Sequence, residues 1–261
     1  MHGKSSRALQ CRKMQEPDFA EFQDRRLASL YDSVSPWGPD GEFYAHLLDP
    51  AAHPCVLDFG CGTGNLAIRL AQQGHVVIGL EPAAPMLEIA RSKPDAERVS
   101  WILGSIEELP GQQVDAIFMT SHVAQFFRTD SSWRELLDVL RGTLRPQGRL
   151  IFDIRRRTDP PFPTWPTPEN PEEVATRPFG PIQWWHTLLP SDDRLVRYEL
   201  HYALLAEGVV LHSVNELRFR DEAEVVTDLV SAGFLLHQTY GDFDGTPMSP
   251  PSPEMIFIAG A

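Results

Sequence analysis

Between residues 54 and 154 the chain alternates short apolar runs with stretches whose apolar positions recur every three or four residues. The runs are PCVLDF, HVVIGL, RVSWIL, VDAIFM and GRLIFDI. Each is too continuous for a sheet with one wet face, which predicts parallel strands covered by helices on both sides. The segments between them fit helices. NLAIRLAQQG stops at Gly74 as a C-terminal cap, and SSWRELLDVLRGTL sets Trp133, Leu136, Leu137, Leu140 and Leu144 on one stripe. Five such units predict an α/β, Rossmann-like doubly wound sheet.

After residue 157 the pattern changes. TDPPFPTWPTPENPEEVATRPFGP carries eight prolines in 24 residues, which predicts a stiff extended connection and excludes helix and central strand. Three strand-like runs follow at 182–189, 194–205 and 209–220. In the middle one Val196, Tyr198, Leu200, Tyr202 and Leu204 alternate with Arg197, Glu199 and His201. That period of two marks an antiparallel insert with one covered face. DEAEVVTDLVSAGF then reads as a helix that opens on an Asp221/Glu224 capping box and stops at Gly233. Two apolar runs, 234–240 and 254–260, close the chain.

Composition narrows the class. With 261 residues and 42% hydrophobic content the chain can bury the core of one large domain or of a domain with an insert. No apolar run approaches the length of a membrane span, so no membrane partner is expected. The start, MHGKSSRALQCRKM, has no apolar stretch of the signal-peptide kind and reads as a mobile beginning. Cys11, Cys55 and Cys61 form no CxxC and cluster with no histidine, which predicts reduced thiols in a cytoplasmic protein and no zinc site. A formal charge of −13 repels polyanions, and Arg155 to Arg157 is the one basic run, so no nucleic-acid partner is expected.

The chemistry starts in VLDFGCGTGN, residues 56–65, where a strand runs into Gly60, Gly62 and Gly64. Glycines there allow a sharp turn and a close approach of ligand to backbone, and the next helix presents unpaired N–H groups to an anion. A dinucleotide fold wants GxGxxG. Here the third glycine comes one residue early and Asn65 takes the remaining place. GxGxG suits a smaller anion such as an amino-acid carboxylate, and it disfavours a nicotinamide-dependent oxidoreductase. HVVIGLEP ends in Glu81, 21 residues after Gly60, where an acid can accept both hydroxyls of a ribose. Together these point to an amino acid joined to a nucleoside.

VLDFGCGTG, followed by GLEPAAPMLEIARSK, resembles the first motifs of class I S-adenosylmethionine-dependent methyltransferases of the small-molecule type, grouped as methyltransferase domains 11 and 25. The resemblance covers roughly residues 25 to 155 by motif and 222–260 by pattern. It implies a seven-stranded sheet with a three-stranded antiparallel insert, S-adenosylmethionine as cofactor, and a small-molecule acceptor. Its domains would be a helical cap (1–53), the cofactor-binding core (54–157), the connector with lid (158–220) and the closing elements (221–261). Gly60, Gly62 and Gly64 would face the methionine moiety, Glu81 the ribose and Met86 the adenine. The backbone of Ile106 and the residue before it, Ser105, would meet the adenine edge. Family members usually carry Asp where this chain has Ser105. Cys61, Asn65, Pro82 and Thr120 fall on the cofactor side by the same resemblance. Asp58 would either orient the glycine loop or stand as a hydrogen-bonded buried acid.

In the family the residues leaving the fourth strand, here TSHVAQFF, sit beside the sulfonium and the acceptor. His122 would take a proton from the acceptor or shape the pocket through backbone hydrogen bonds. No carboxylate neighbours it in sequence, so no metal role is expected. Tyr31 would fold over the cofactor. Trp37, Tyr44, Trp184, Trp185 and His186 would line an acceptor pocket or fill the core. Arg155 ends the fifth strand, where such sheets bind ligands, and Asp242 would reach the pocket mouth or merely make a turn. Two other readings stay open: the same fold running a cyclisation or dehydration, or acting as a non-catalytic partner subunit. The insert's alternating pattern would serve a homodimer interface as well as a lid.

Overall fold

A computed structural model describes residues 17–261 except Pro110, Gln112, Asp159 and Asp193; the expected mobile start and Cys11 lie outside the described residues. Four short helices, α1 (Ala20–Gln23), α2 (Arg25–Ala28), α3 (Tyr31–Val34) and α4 (Pro39–Ala45), precede β1 (Cys55–Phe59). Next come α5 (Asn65–Gln72), β2 (Val76–Glu81), α6 (Ala84–Ser92), β3 (Val99–Leu103), β4 (Val114–Met119), α7 (Asp130–Thr143) and β5 (Leu144–Arg155). The insert holds β6 (Glu172–Thr176), β7 (Gly180–Leu189), β8 (Leu195–Leu204) and β9 (Val209–Arg218), and α8 (Glu222–Ser231), β10 (Leu235–Tyr240) and β11 (Glu254–Gly260) finish the chain.

The main sheet has seven strands in the order β10-β11-β5-β4-β1-β2-β3. β1 pairs in parallel with both β2 and β4, so chain direction across the sheet reverses between β1 and β4, and ligands bind at such a switch point. β11 wedges antiparallel between β5 and β10. Continuous apolar strands demand cover on both faces, and they receive it. Trp133, Leu136, Leu137 and Leu140 of α7 bury one face against Phe152 and Phe257, while Leu66 and Leu70 of α5 join Tyr44, Phe118 and Ile151 on the other.

Three local expectations are corrected. Between β3 and β4 the described residues form no α-helix, only a 3-10 turn at Ile106–Glu108, because Gly104 and Gly111 leave too short a helical stretch. The insert has four strands in the order β6-β7-β8-β9; the proline-rich connector supplies β6 as an edge strand, where prolines are tolerated. The capping box of α8 forms by half. Asp221 accepts the Glu224 N–H at 2.8 Å, but the Glu224 carboxylate is drawn away by Arg218 at 2.6 Å.

The alternating face of β8 is covered as its period requires, with Tyr198, Leu200, Tyr202 and Leu204 buried beside Phe162, Leu27 and Leu30. Arg197 departs from the pattern: it is buried too, 3.4 Å from Glu216. The chain before α1 is stitched to β9, since the N–H groups of Asp18 and Phe19 both donate to the Val214 carbonyl. Asp18 Oδ1 accepts the Val214 N–H in return at 3.0 Å. Among the described residues no helix is long and apolar enough to cross a membrane.

Candidate active site

At the switch point the chain opens a cavity of about 630 Å³. Its floor is the end of β1 and the glycine loop. Gly60, Gly62 and Gly64 all adopt left-handed backbone, with φ of +74°, +53° and +78°, which L side chains adopt at a cost. They are not equivalent. A Cβ on Gly60 would lie 2.8 Å from Val123, and one on Gly64 would lie 2.5 Å from Trp101, whereas one on Gly62 meets only Met86 Cε at 3.5 Å. Gly60 and Gly62 line the cavity, while Gly64 turns its crowded side to Trp101 and Ala90.

Two buried acids brace this floor. Glu81 Oε2 accepts the Gly62 N–H and Oε1 the Ala83 N–H, both at 2.9 Å. Burial raises its carboxyl, and those two N–H groups oppose the rise. Gly64 has no side chain to cap α5, and Asp58 accepts the Ala67 N–H in its place. Thr63 and Asn65 are tied to α3: Asp32 accepts Thr63 Oγ1 at 2.5 Å and Asn65 Nδ2 at 3.1 Å, and pairs with Lys93 at 2.6 Å. This network links α3 to the glycine loop, and no short-range pattern announces it.

Asp58 carries a pH signature. Burial lifts its carboxyl from 3.8 to about 7, the nearby Glu81 adds to the rise, and the Ala67 N–H opposes it. The folded form therefore holds a proton that the unfolded form has released between about pH 4 and 7, so stability falls as pH rises through that window. Three units amount to roughly 4 kcal/mol. Asp58→Asn should flatten this part of the stability curve in denaturant titrations from pH 4 to 8. Parallel curves for the two proteins would show that Asp58 does not titrate there.

The opposite wall is built by the ends of β4 and β5 and the start of β11. Ser121 and His122 leave β4 with φ of +55° and +64°, two consecutive non-glycine residues in left-handed backbone. Such strain is held only where surroundings over-determine it. Here Asp153 does so: Oδ2 accepts the His122 N–H at 2.8 Å and Oδ1 accepts the Tyr44 hydroxyl at 2.7 Å. His122 Nε2 lies 2.9 Å from Glu254 Oε2 and 3.3 Å from Asp153 Oδ2. Arg155 Nη2 approaches the other ring nitrogen, Nδ1, at 3.4 Å. The expectation that no carboxylate surrounds His122 is therefore corrected. Asp153 and Glu254 converge from neighbouring strands in the β5–β11 register, and with His122 they form a set whose ligand atoms lie within 4.8 Å of one another.

The remaining expected residues divide. Cys61, Asn65, Pro82, Met86, Ser105 and Thr120 line the cavity, as do Tyr31, Trp37, Tyr44 and Arg155. The Ser105 hydroxyl is engaged by Glu107 and its N–H by Glu108. Ile106 lies off the cavity, its side chain against the main core. Trp184 and His186 do not reach the wall; they pack edge-on against Trp165, which does. Asp242 borders a neighbouring surface hollow with Pro39 and Asp40, and accepts the Phe243 N–H. Further wall residues, Glu21, Trp165 and Tyr198 among them, lie outside the glycine, Glu81 and His122 motifs.

Comparisons with known proteins bear on the family and the fold. Residues 56–148 match the family model described as a methyltransferase domain. An uncharacterized methyltransferase of Oceanobacillus iheyensis is 30% identical over 165 residues, covering 60% of this chain and 73% of the relative. The putative methyltransferase YqeM of Bacillus subtilis is 25% identical over 243 residues, covering 89% of this chain and 95% of its own. The structure of the CcbJ methyltransferase from Streptomyces caelestis superposes with a TM-score of 0.74 at 21% identity, covering 89% and 96% of the two chains. CalS10 from Micromonospora echinaspora, an amino pentose methyltransferase solved with S-adenosylmethionine bound, gives 0.64 at 20% identity, covering 88% and 96%. The motif-bearing core, the relatives and the shared fold agree, and the chain belongs to the class I S-adenosylmethionine-dependent methyltransferases.

Proposed function

We propose that this enzyme transfers the methyl group of S-adenosylmethionine to an oxygen or nitrogen of a small-molecule acceptor enclosed in the cavity. One observation carries the reading: the glycine loop with Glu81 and the His122 cluster line the same cavity, with the insert's Trp165 and Tyr198 bounding it. A cavity of this size suits a small metabolite. CalS10, a neighbour in fold, acts on an amino pentose, in keeping with a small acceptor.

The residues fit the donor. Glu81 spends one lone pair of each oxygen on backbone N–H groups, which leaves acceptor capacity for two adjacent hydroxyls. Gly60 and Gly62 offer bare backbone to the methionine end, with Cys61, Asn65 and Thr120 around it. Met86, Pro82 and Ser105 border the adenine, and Tyr31 covers it from α3. When bound, S-adenosylmethionine supplies an electrophilic methyl on a sulfonium centre. His122 takes the acceptor's proton. The carboxylates beside Nε2 fix the tautomer with the proton there, leaving the lone pair on Nδ1, and the long 3.4 Å contact from Arg155 to that nitrogen has to give way as Nδ1 takes the acceptor's proton. Trp37, Tyr44 and Arg155 bound the acceptor's space, which excludes water around the reacting atoms.

Incubating the enzyme with labelled S-adenosylmethionine and a metabolite extract tests the reading; the expected result is one small molecule gaining a methyl mass. No labelled product in any extract would overturn it. For the donor site, Glu81→Ala should lose charge-assisted hydrogen bonds worth about 1.5–3 kcal/mol, or roughly 10- to 150-fold in affinity for S-adenosylhomocysteine by calorimetry. Unchanged affinity would remove Glu81 from the donor site.

A further inference from the structure

Glu21 is a buried acid whose carboxyl has no partner among the described residues. It sits in α1, 8% exposed, and lines the cavity. Its N–H is held by Ser213 Oγ on β9 at 3.0 Å, which fixes the residue against the insert. No hydrogen bond or ion pair to its carboxyl is made among the described residues. The walls around it are aromatic: Phe19 and Phe22 on its own segment, Tyr31 on α3 and Tyr198 on β8. Leaving a carboxyl buried with no cation costs stability, so a site of this kind gains when a ligand brings the opposite charge. Arg128 also lines the cavity, but it is paired with Glu216 at 2.8 Å and lies over the Phe19 ring, so the remaining aromatic wall is what favours a ligand cation.

We propose that Glu21 is the counter-charge for an ammonium group on the acceptor, so that the enzyme selects amine-bearing small molecules over their neutral hydroxyl counterparts. The proposal rests on the acceptor cavity argued above and names what that cavity selects. Glu21 is assigned to the acceptor because Ser213 of the insert holds its N–H and it acts on Tyr198 and Tyr202 of β8, while its neighbour Phe22 packs on the donor side against Ala83 and Met86. Tyr31 feels both Glu21 and Glu81, but the charge acting on Glu21 itself is Asp18.

Burial, with a smaller push from Asp18, raises the Glu21 carboxyl to about 8. The titratable groups facing it are Asp18 on its own segment, Tyr31 on α3, and Tyr198 and Tyr202 on β8, with Arg155 acting on Tyr198 from β5. At pH 7 the free protein therefore holds Glu21 largely protonated. Binding an ammonium ion expels that proton, so affinity rises with pH up to about 8.

Calorimetry in saturating S-adenosylhomocysteine tests this with benzylamine, as its ammonium ion, against benzyl alcohol. Wild-type protein should bind the amine roughly 10- to 150-fold more tightly, the preference growing from pH 6 to 8. Glu21→Gln should abolish both the preference and its pH dependence while S-adenosylhomocysteine affinity holds. Equal binding of the two probes by wild type, which needs no variant, would overturn the proposal, and so would a preference surviving in Glu21→Gln. A fall in S-adenosylhomocysteine affinity in the variant would move the acid to the donor site. Failure of wild type to bind S-adenosylhomocysteine would strike the cavity reading itself.

Discussion

Gly62→Val is expected to abolish S-adenosylmethionine binding and to leave the protein folded. Both halves follow from where the missing Cβ would go. Position 62 is the one glycine of the three whose Cβ meets no protein atom closer than 3.5 Å, and its neighbour there is a flexible methionine end. The added side chain therefore stands in the cavity that the glycine lines. Its branched Cβ at a φ of +53° adds strain of about 1–2 kcal/mol, within what a domain of this size tolerates. The loop would also shift the N–H that Glu81 Oε2 holds at 2.9 Å, so the two donor contacts fail together. Calorimetry with S-adenosylmethionine, alongside thermal unfolding, reads the result. Position 64 is the wrong place for this test, because its Cβ would collide with Trp101 and Ala90 and disturb folding directly. Wild-type affinity in a folded Gly62→Val protein would detach the glycine loop from the donor site.

How much of this was legible beforehand depends on chain distance. The glycine loop and Glu81 are local features: a strand, a turn and the end of the next strand, read within about one βαβ unit. The seven strands were legible for the same reason, since each apolar run announces burial by itself. Asp153 and Glu254 were not. In FDI and PEM each looks like an isolated acid, and they meet at His122 only because β11 pairs antiparallel with β5 in one register, Glu254 opposite Arg155 and Ile256 opposite Asp153. Nothing within either segment encodes that register. Prolines flanking residues 172–176 masked β6, since proline signals exclude a central strand but permit an edge. The tryptophans show a subtler limit. Trp184 carries strand signal and Trp165 carries none, yet the latter lines the cavity and the former backs it. Glu21 had no signal at all, being one acid in a four-residue helix whose burial depends on β9.

His122→Ala is expected to lower kcat by about 10²–10⁴-fold with affinity for S-adenosylhomocysteine unchanged. The imidazole is set for proton transfer by what surrounds it. Tyr44 and the His122 backbone N–H hold Asp153, Asp153 and Glu254 hold Nε2, and the left-handed backbone at 121–122 aims the ring. Burial raises the Asp153 carboxyl, while the neighbouring His122 pulls it down, so acid and imidazole are coupled within one cluster. Asp153→Asn keeps the shape but can offer Nε2 a donor in place of an acceptor, and it should cost activity without costing the donor site. Methyl transfer to an already neutral amine can run on alignment alone, which sets the rival outcome. The two are separated by the rate of His122→Gln. If His122 accepts the proton, His122→Gln loses most of its rate. If His122 only shapes the cavity, His122→Gln retains rate to within a few-fold. That second result would leave alignment of donor and acceptor, not proton removal, as the source of catalysis.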